Sequence, residues 1–297
     1  MNESRFNVAG FTFCVKDPCN ILPGIPGNYR PFLLTDEQAG SVPIFTLEMV
    51  EGFTPRDDRE ELYVDQAEDD DMPLLNLYSH SEGYMVEMAP LKSVPVCGWL
   101  DMSKDFTRGK LYVSKDPRFA LDNSLMLLFA FSTACKGALE MHSSVVMHGG
   151  RGYMFLGKSG TGKSTHSSLW LKNIPDTELL NDDNPIIRCM PDGSVHVFGS
   201  PWSGKTPCYK SKDVPIGAIV RIRQAPFNEI HRLGITQAYS SIFSSASGFR
   251  PIKGMADGLH ESIATVVSKV PCFTLDCLPD NDAALVCHKS VTLKDDE

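Results

Sequence analysis

Hydrophobic and polar positions follow two rhythms along this chain. Up to Lys136 the apolar runs are short. Phe11 and Phe13 alternate with polar or small residues in an extended stretch at 6–15, and 44–50, 74–78, 84–88, 94–100 and 110–113 follow, rich in Val, Leu or Tyr and bounded by turn residues. Such punctuated runs predict half-buried strands. Pro23, Gly24, Pro26, Gly27 and Pro31 make 20–31 a loop. Residues 122–136 are apolar nearly all round behind a capping Asp122, which predicts a buried helix. The expectation is an antiparallel, β-rich N-terminal α+β domain over 1–136.

Beyond Lys136, longer apolar runs alternate with helical patterns. Ser143–Met147 and Gly152–Leu156 read as strands joined by a Gly149-Gly150 turn, the composition of a two-residue hairpin. With that turn, His148 faces Arg151, Met147 faces Gly152, and His142 falls opposite Gly157. A helix is predicted at Thr165–Lys172, a short strand at Glu178–Asn181, and a hairpin from 185–189 and 194–198. A strong strand at 216–223 follows, with 228–233 as its partner. Helices at 235–246 and 256–269, a strand at 271–275 and a helix at 280–288 complete an α/β domain over 137–297.

The segment Gly157-Lys158-Ser159-Gly160-Thr161-Gly162-Lys163-Ser164-Thr165 fits G-x-x-x-x-G-K-[ST]. Its glycines let consecutive N–H groups turn toward one anion, Lys163 adds a charge for β and γ phosphates, and the Ser164 hydroxyl suits Mg²⁺. The required context, strand before and helix after, is present. Asp182 and Asp183 end the next strand. A right-handed crossover sets both strand ends on one edge, which brings the pair beside Lys163 and Ser164. Carboxylates there hold Mg²⁺ and accept a proton from an attacking hydroxyl. His142 is either a polar residue at a strand start or part of this site. Lys205, in a second Gly/Ser loop at 199–206, either reaches a phosphoryl group or sits in a surface turn.

Bulk properties narrow the partners. Residues 1–136 hold 21 Asp/Glu against 12 Lys/Arg and carry the whole net charge of −9, whereas 137–297 hold 16 of each. The asymmetry puts a domain seam near Lys136. Neither half is basic, so nucleic acid is not expected as a partner. Residues 57–71 carry nine acids and one base and read as a solvated loop. The nine cysteines include no C-x-x-C pair and read as reduced thiols packed as small hydrophobes. No apolar run suits a bilayer and no signal-peptide pattern opens the chain, so a cytoplasmic protein without membrane contact is expected. Homo-oligomerisation is left open.

Met141-His142-Ser143-Ser144, the 157–165 loop and Asp182-Asp183, in this order, resemble the nucleotide-binding core shared by HPr kinase/phosphorylase and ATP-dependent phosphoenolpyruvate carboxykinase. The resemblance covers about residues 137–290. It implies a mixed-sheet P-loop core and an ATP- and Mg²⁺-dependent kinase acting on a hydroxyl of a protein, peptide or small molecule. It also implies roles: 157–165 for the nucleotide phosphates, Ser164 and Asp183 (or Asp182) for the metal, and Asp182 as the carboxylate acting on the acceptor. His142 would lie beside the transferred group and Lys205 would neutralise its charge. The chain lacks the Pro-Gly-Arg-Asn run of HPr kinase and any counterpart of the carboxykinase's oxaloacetate-binding arginines, so full membership of either family is not implied. A nucleotide-gated binding protein without transfer activity, or a carboxykinase-like lyase, are the alternative readings.

Overall fold

The computed structural model describes residues 3–35, 40–54, 56–64, 73–204, 206–248, 250 and 252–292. The chain divides into two compact units, Met1–Ser132 and Thr133–Glu297. Both are built on mixed sheets.

The first unit contains β1 (Glu3–Val8), β2 (Phe11–Lys16), β3 (Thr46–Val50), β4 (Glu60–Tyr63), β5 (Leu74–His80), β6 (Gly83–Ala89), β7 (Gly98–Ser103), β8 (Arg108–Val113) and α1 (Pro117–Thr133). Its sheet runs β1-β2-β3-β8-β7-β6-β5-β4. Three corrections to the sequence reading arise here. The extended stretch at 6–15 is a hairpin, turned at Ala9 and Gly10 with φ of 50° and 79°, the paired positive φ of a type I′ turn. The sheet is not wholly antiparallel, because β3 runs parallel to both β2 and β8. The Pro/Gly loop after β2, with a 3₁₀ turn at Gly27–Phe32, carries the chain back before β3 begins. Within the acidic segment, Glu60–Tyr63 is an edge strand with all four residues exposed. Acidic side chains on such an edge also block pairing with another chain. Residues 65–71 of that segment lie outside the described residues.

Helix α1 starts earlier than its apolar pattern suggested, since Pro117 suits a first helical position. The Phe119 N–H donates to Asp116 Oδ1 at 3.0 Å, an N-cap. The helix buries Phe129 edge-on against Phe11 and Phe13, at 6.0 and 6.5 Å between centroids. Asp116→Ala should lower the unfolding free energy by ~1 kcal/mol, measurable by urea denaturation.

The second unit contains β9 (Ala138–Glu140), β10 (Ser143–His148), β11 (Arg151–Leu156), α2 (Lys163–Asn173), β12 (Glu178–Asp183), β13 (Ile186–Cys189), β14 (Val195–Phe198), β15 (Asp213–Gln224), β16 (Glu229–Arg232), α3 (Ile235–Phe243), α4 (Lys253–Lys269), β17 (Cys272–Cys277) and α5 (Asn281–Thr292). Strand order is β12-β10-β11-β15-β14-β13-β9, with β17 on β15 and β16 on β17. Strands β11, β15 and β17 are parallel to one another. Strand β12 runs with β11, because both are antiparallel to the intervening β10. The carboxyl ends of these four strands therefore share one edge with the start of β10. Strand β16 joins the sheet through β17, not through β15 as its sequence position suggested.

Helices cover both faces. Met154, Leu156 and Ile219 pack with Ala238 and Ile242 of α3 and Leu259 and Ile263 of α4. Tyr153, Phe155, Val220 and Ile222 pack with Trp170 of α2 and Ala284 and Cys287 of α5. Adjacent strand residues thus serve opposite layers, as period-two geometry requires, and burial on both faces explains the continuous apolar runs. No cysteine is in a disulfide, and Cys14, Cys97, Cys208, Cys272, Cys277 and Cys287 are buried. No helix among the described residues is long and apolar enough to cross a membrane.

Candidate functional site

The glycine loop joins β11 to α2 at the shared edge. Gly160 and Gly162 have φ of +78° and +100°, values that residues with side chains rarely adopt. A Cβ on Gly157 would stand 2.2 Å from Thr161 Oγ1. That hydroxyl donates to the Lys158 carbonyl at 2.8 Å, which closes the loop on itself. Helix α2 begins at Lys163, so its unpaired N–H groups and positive dipole end face the loop.

The hairpin of β10 and β11 pairs Ser143 with Leu156 and His148 with Arg151. One step further along this register, His142 stands opposite Gly157. Its Nε2 is 2.9 Å from Lys163 Nζ and its Nδ1 is 2.8 Å from Asp183 Oδ1. An ammonium can only donate. Nε2 is therefore the acceptor, and Nδ1 carries the hydrogen given to Asp183. Lys163 Nζ also donates to the Gly157 carbonyl at 3.1 Å. Burial holds the Lys163 pKa below its ordinary value, against the opposing charges of Asp183 and Asp182.

Asp182 and Asp183 end β12 opposite Ser144 and Ser143 of β10. Asp182 is 2% exposed and its Oδ2 has no hydrogen-bond partner among the described residues. Asp183 has a φ of +141°, the kind of backbone strain that needs surrounding structure to hold it. The second Gly/Ser loop supplies that support. Asp183 bridges to Ser203, and the Gly204 N–H donates to the Asp182 carbonyl at 2.5 Å. A Cβ on Gly204 would come within 3.1 Å of Asp183 Cβ. Buried Asn181 fastens the loop to β12, donating to Ser200 Oγ at 3.2 Å and the Trp202 carbonyl at 3.1 Å. Lys205 lies outside the described residues.

Two clefts flank this edge. On the α2 and α5 face, a cleft of ≈ 580 Å³ is lined by Gly160, Thr165, His166, Leu169, Ile222 and Pro226, among others. Its walls are largely apolar. Trp170 Nε1–H donates to His166 Nε2 at 3.1 Å, and burial presses the His166 pKa to about 4, so this ring is neutral at neutral pH. On the α3 face, a cleft of ≈ 690 Å³ is lined by Arg221, Arg223, Arg232, Ser241 and Ser244, among others.

No three His, Cys, Asp or Glu side chains converge into a metal cage among the described residues. Mg²⁺ beside a nucleotide needs no such cage, since one or two carboxylates plus substrate phosphates suffice. The unpartnered Asp182 Oδ2, the Asp183 carboxylate and the exposed Ser164 hydroxyl match that oxygen donor set.

Sequence reasoning missed Glu140, Arg221 and the serines at the end of α3. Arg221 and Arg223 were visible as two charges alternating within an apolar strand. Glu140 is buried, and among the described residues neither of its carboxylate oxygens has a hydrogen-bond partner of ordinary geometry. Burial raises its pKa from 4.5 to about 8, with Ser247 nearby offsetting part of the shift and Asp183 adding to it. A folded-state pKa above the unfolded one means stability that is present below about 4.5 and lost as pH rises toward about 8. Glu140→Gln should remove this slope. Melting curves at pH 5 and pH 8 should show the variant gaining on wild type at pH 8 by on the order of a few kcal/mol. An equal difference at both pH values would contradict a buried neutral carboxyl.

Comparison with protein-family models and with curated proteins finds no match to this chain.

Proposed function

We propose that the second unit is an ATP- and Mg²⁺-dependent kinase core, of the kind shared by HPr kinase/phosphorylase and phosphoenolpyruvate carboxykinase, that transfers a phosphoryl group to a hydroxyl. The observation that carries this reading is the chain of contacts Lys163–His142–Asp183 across the mouth of the glycine loop. A chance Gly/Ser turn gives no reason for a histidine from one strand and a carboxylate from another to converge on its lysine.

In this reading the loop N–H groups at 157–164 and Lys163 hold the phosphates. The nucleoside lies in the apolar cleft between α2 and the segment leading into α5, against Leu169, Ile222 and Pro226. Ser164 and Asp183 would hold Mg²⁺, which would neutralise charge on the phosphate oxygens. Asp182 accepts the proton of the acceptor hydroxyl. The hydroxyl oxygen bonds to the γ-phosphorus, the bond from that phosphorus to the β–γ bridging oxygen breaks, and ADP leaves with the electron pair. His142 acts as a positioning residue that fixes both the Lys163 ammonium and the Asp183 carboxylate. Lys205 would, as the resemblance implies, neutralise charge on the transferred group. Positioning and electrostatics supply most of the catalysis in such a reaction.

The test is ADP formation from Mg·ATP by the full-length protein in the presence of host extract fractions. Excess EDTA should abolish it. ADP formation that persists in EDTA, or that Lys163→Ala retains in full, would contradict the assignment.

A further inference from the structure

Strand β15 presents Ile222 to the apolar cleft on one face and Arg221 to the other. Arg221 pairs across the strands with Leu156, the residue before the glycine loop. Its charge is also felt at the Lys163 ammonium. It therefore stands at the rim of the loop on the α3 side.

The surroundings of this guanidinium are unusual in lacking a counter-charge. Nε donates to Ser241 Oγ at 2.7 Å, and the two hydrogens of Nη2 are shared among the Ser241 carbonyl at 2.5 Å, Ser244 Oγ at 2.8 Å and Ser245 Oγ at 3.0 Å. Every partner is neutral, and among the described residues no carboxylate pairs with it. Its neighbour Arg223 is different, held by both carboxylate oxygens of Asp276 at 2.6 and 2.7 Å. Burial lowers the Arg221 pKa, yet an arginine remains charged in proteins. A half-buried, uncompensated cation is costly. Here it opens into a cleft whose walls add Arg232, Thr236, Ser240 and Ser244. Planar guanidinium with flanking hydroxyls is the chemistry that recognises an oxyanion.

The cleft is also tied to the reacting edge. The His142 N–H donates to the Ser245 carbonyl at 2.7 Å, and Met141 bridges to Ala246. One turn of chain after α3 therefore holds both Arg221 and His142.

We propose that this cleft is an oxyanion subsite that seats the phosphoryl acceptor by a carboxylate or phosphate group on it. The oxyanion site stands on the geometry of Arg221 and its cleft, and its assignment to the acceptor rests on the kinase reading above. The nucleoside and the acceptor then occupy opposite faces of β15, with the glycine loop between them. The kinase would discriminate against neutral alcohols and act on hydroxyl compounds or peptides bearing a negative charge near the accepting oxygen.

The test is calorimetric titration of the full-length protein with inorganic phosphate and, separately, with acetate. Saturating Mg²⁺ and a non-hydrolysable ATP analogue keep the glycine loop occupied. Wild type should bind at least one of the two anions saturably, and the tighter one names the recognised group. Arg221→Gln should weaken that binding by about tenfold or more, the loss of a charge-assisted contact. Because Arg221 also anchors α3, the exposed Ser240→Glu provides a second variant. It should abolish anion binding by repulsion while the nucleotide analogue binds as in wild type. Unaltered anion affinity in both variants, or no saturable binding in wild type, would overturn the subsite. If the analogue itself fails to bind, the kinase reading fails. Lys163→Ala titrated with phosphate in the absence of nucleotide then still reads the Arg221 site, and loss of that binding in Lys163→Ala/Ser240→Glu supports it.

Discussion

Lys163→Ala should abolish phosphoryl transfer and weaken Mg·ATP binding by on the order of tenfold or more, the scale of a lost charge-assisted contact to phosphate. Lys163 is the point where the glycine loop, His142 and the carboxylates meet. Its ammonium already sits among acceptors, at 2.9 Å from His142 Nε2 and 3.1 Å from the Gly157 carbonyl. These partners are neutral, so a phosphate oxygen competes for the ammonium with full charge attraction in a half-dry site. Removing the amine also removes what holds the His142 ring toward the loop, and the ring in turn orients Asp183. Calorimetry for binding and ADP release for turnover measure the two losses separately. Lys163→Ala that still turns over at the wild-type rate would sink the site.

Asp182→Asn should leave nucleotide binding nearly intact and slow transfer by on the order of 10²-fold or more, the usual contribution of a positioned general base. The substitution keeps the shape of a side chain that is 2% exposed and stands beside Lys163's charge field. It removes the capacity to take a proton. Asp183→Asn should behave differently. It breaks the 2.8 Å contact from His142 Nδ1 in its charged form and weakens the Mg²⁺ donor set, so its defect should be partly relieved at high Mg²⁺. A defect of Asp182→Asn that Mg²⁺ relieves, with none in Asp183→Asn, would exchange the two roles. Single-turnover rates across a Mg²⁺ titration distinguish the cases.

Much of this edge was legible in the sequence because local rules determine it. The Gly149-Gly150 turn fixes the hairpin register, and the register alone carries His142 to Gly157. The crossover rule sets Asp182 and Asp183 at the carboxyl edge, even though β10 lies between the two strands that the crossover joins. Long-range pairing was not legible. Nothing near Thr46 announces that β3 runs parallel to its neighbours, because direction is decided by the route of the whole loop that precedes it and not by local pattern. The strand at Glu60–Tyr63 was hidden by its charge, since an edge strand with both sides in water needs no apolar alternation. Arg221 drew no attention as one of two charges inside a strong strand. Its partners are twenty or more residues away in sequence, and four uncharged serine contacts leave no ion-pair pattern to recognise.

The central claim is transfer of the γ-phosphoryl group, and the most direct measurement follows the label. Full-length protein is incubated with Mg²⁺, γ-labelled ATP and host extract, beside Lys163→Ala and Asp182→Asn. The account predicts label on a protein or small-molecule acceptor with wild type only, while Asp182→Asn still binds ATP. Wild type that binds ATP tightly yet labels nothing, in any extract fraction, would contradict it and leave a nucleotide-gated binding protein.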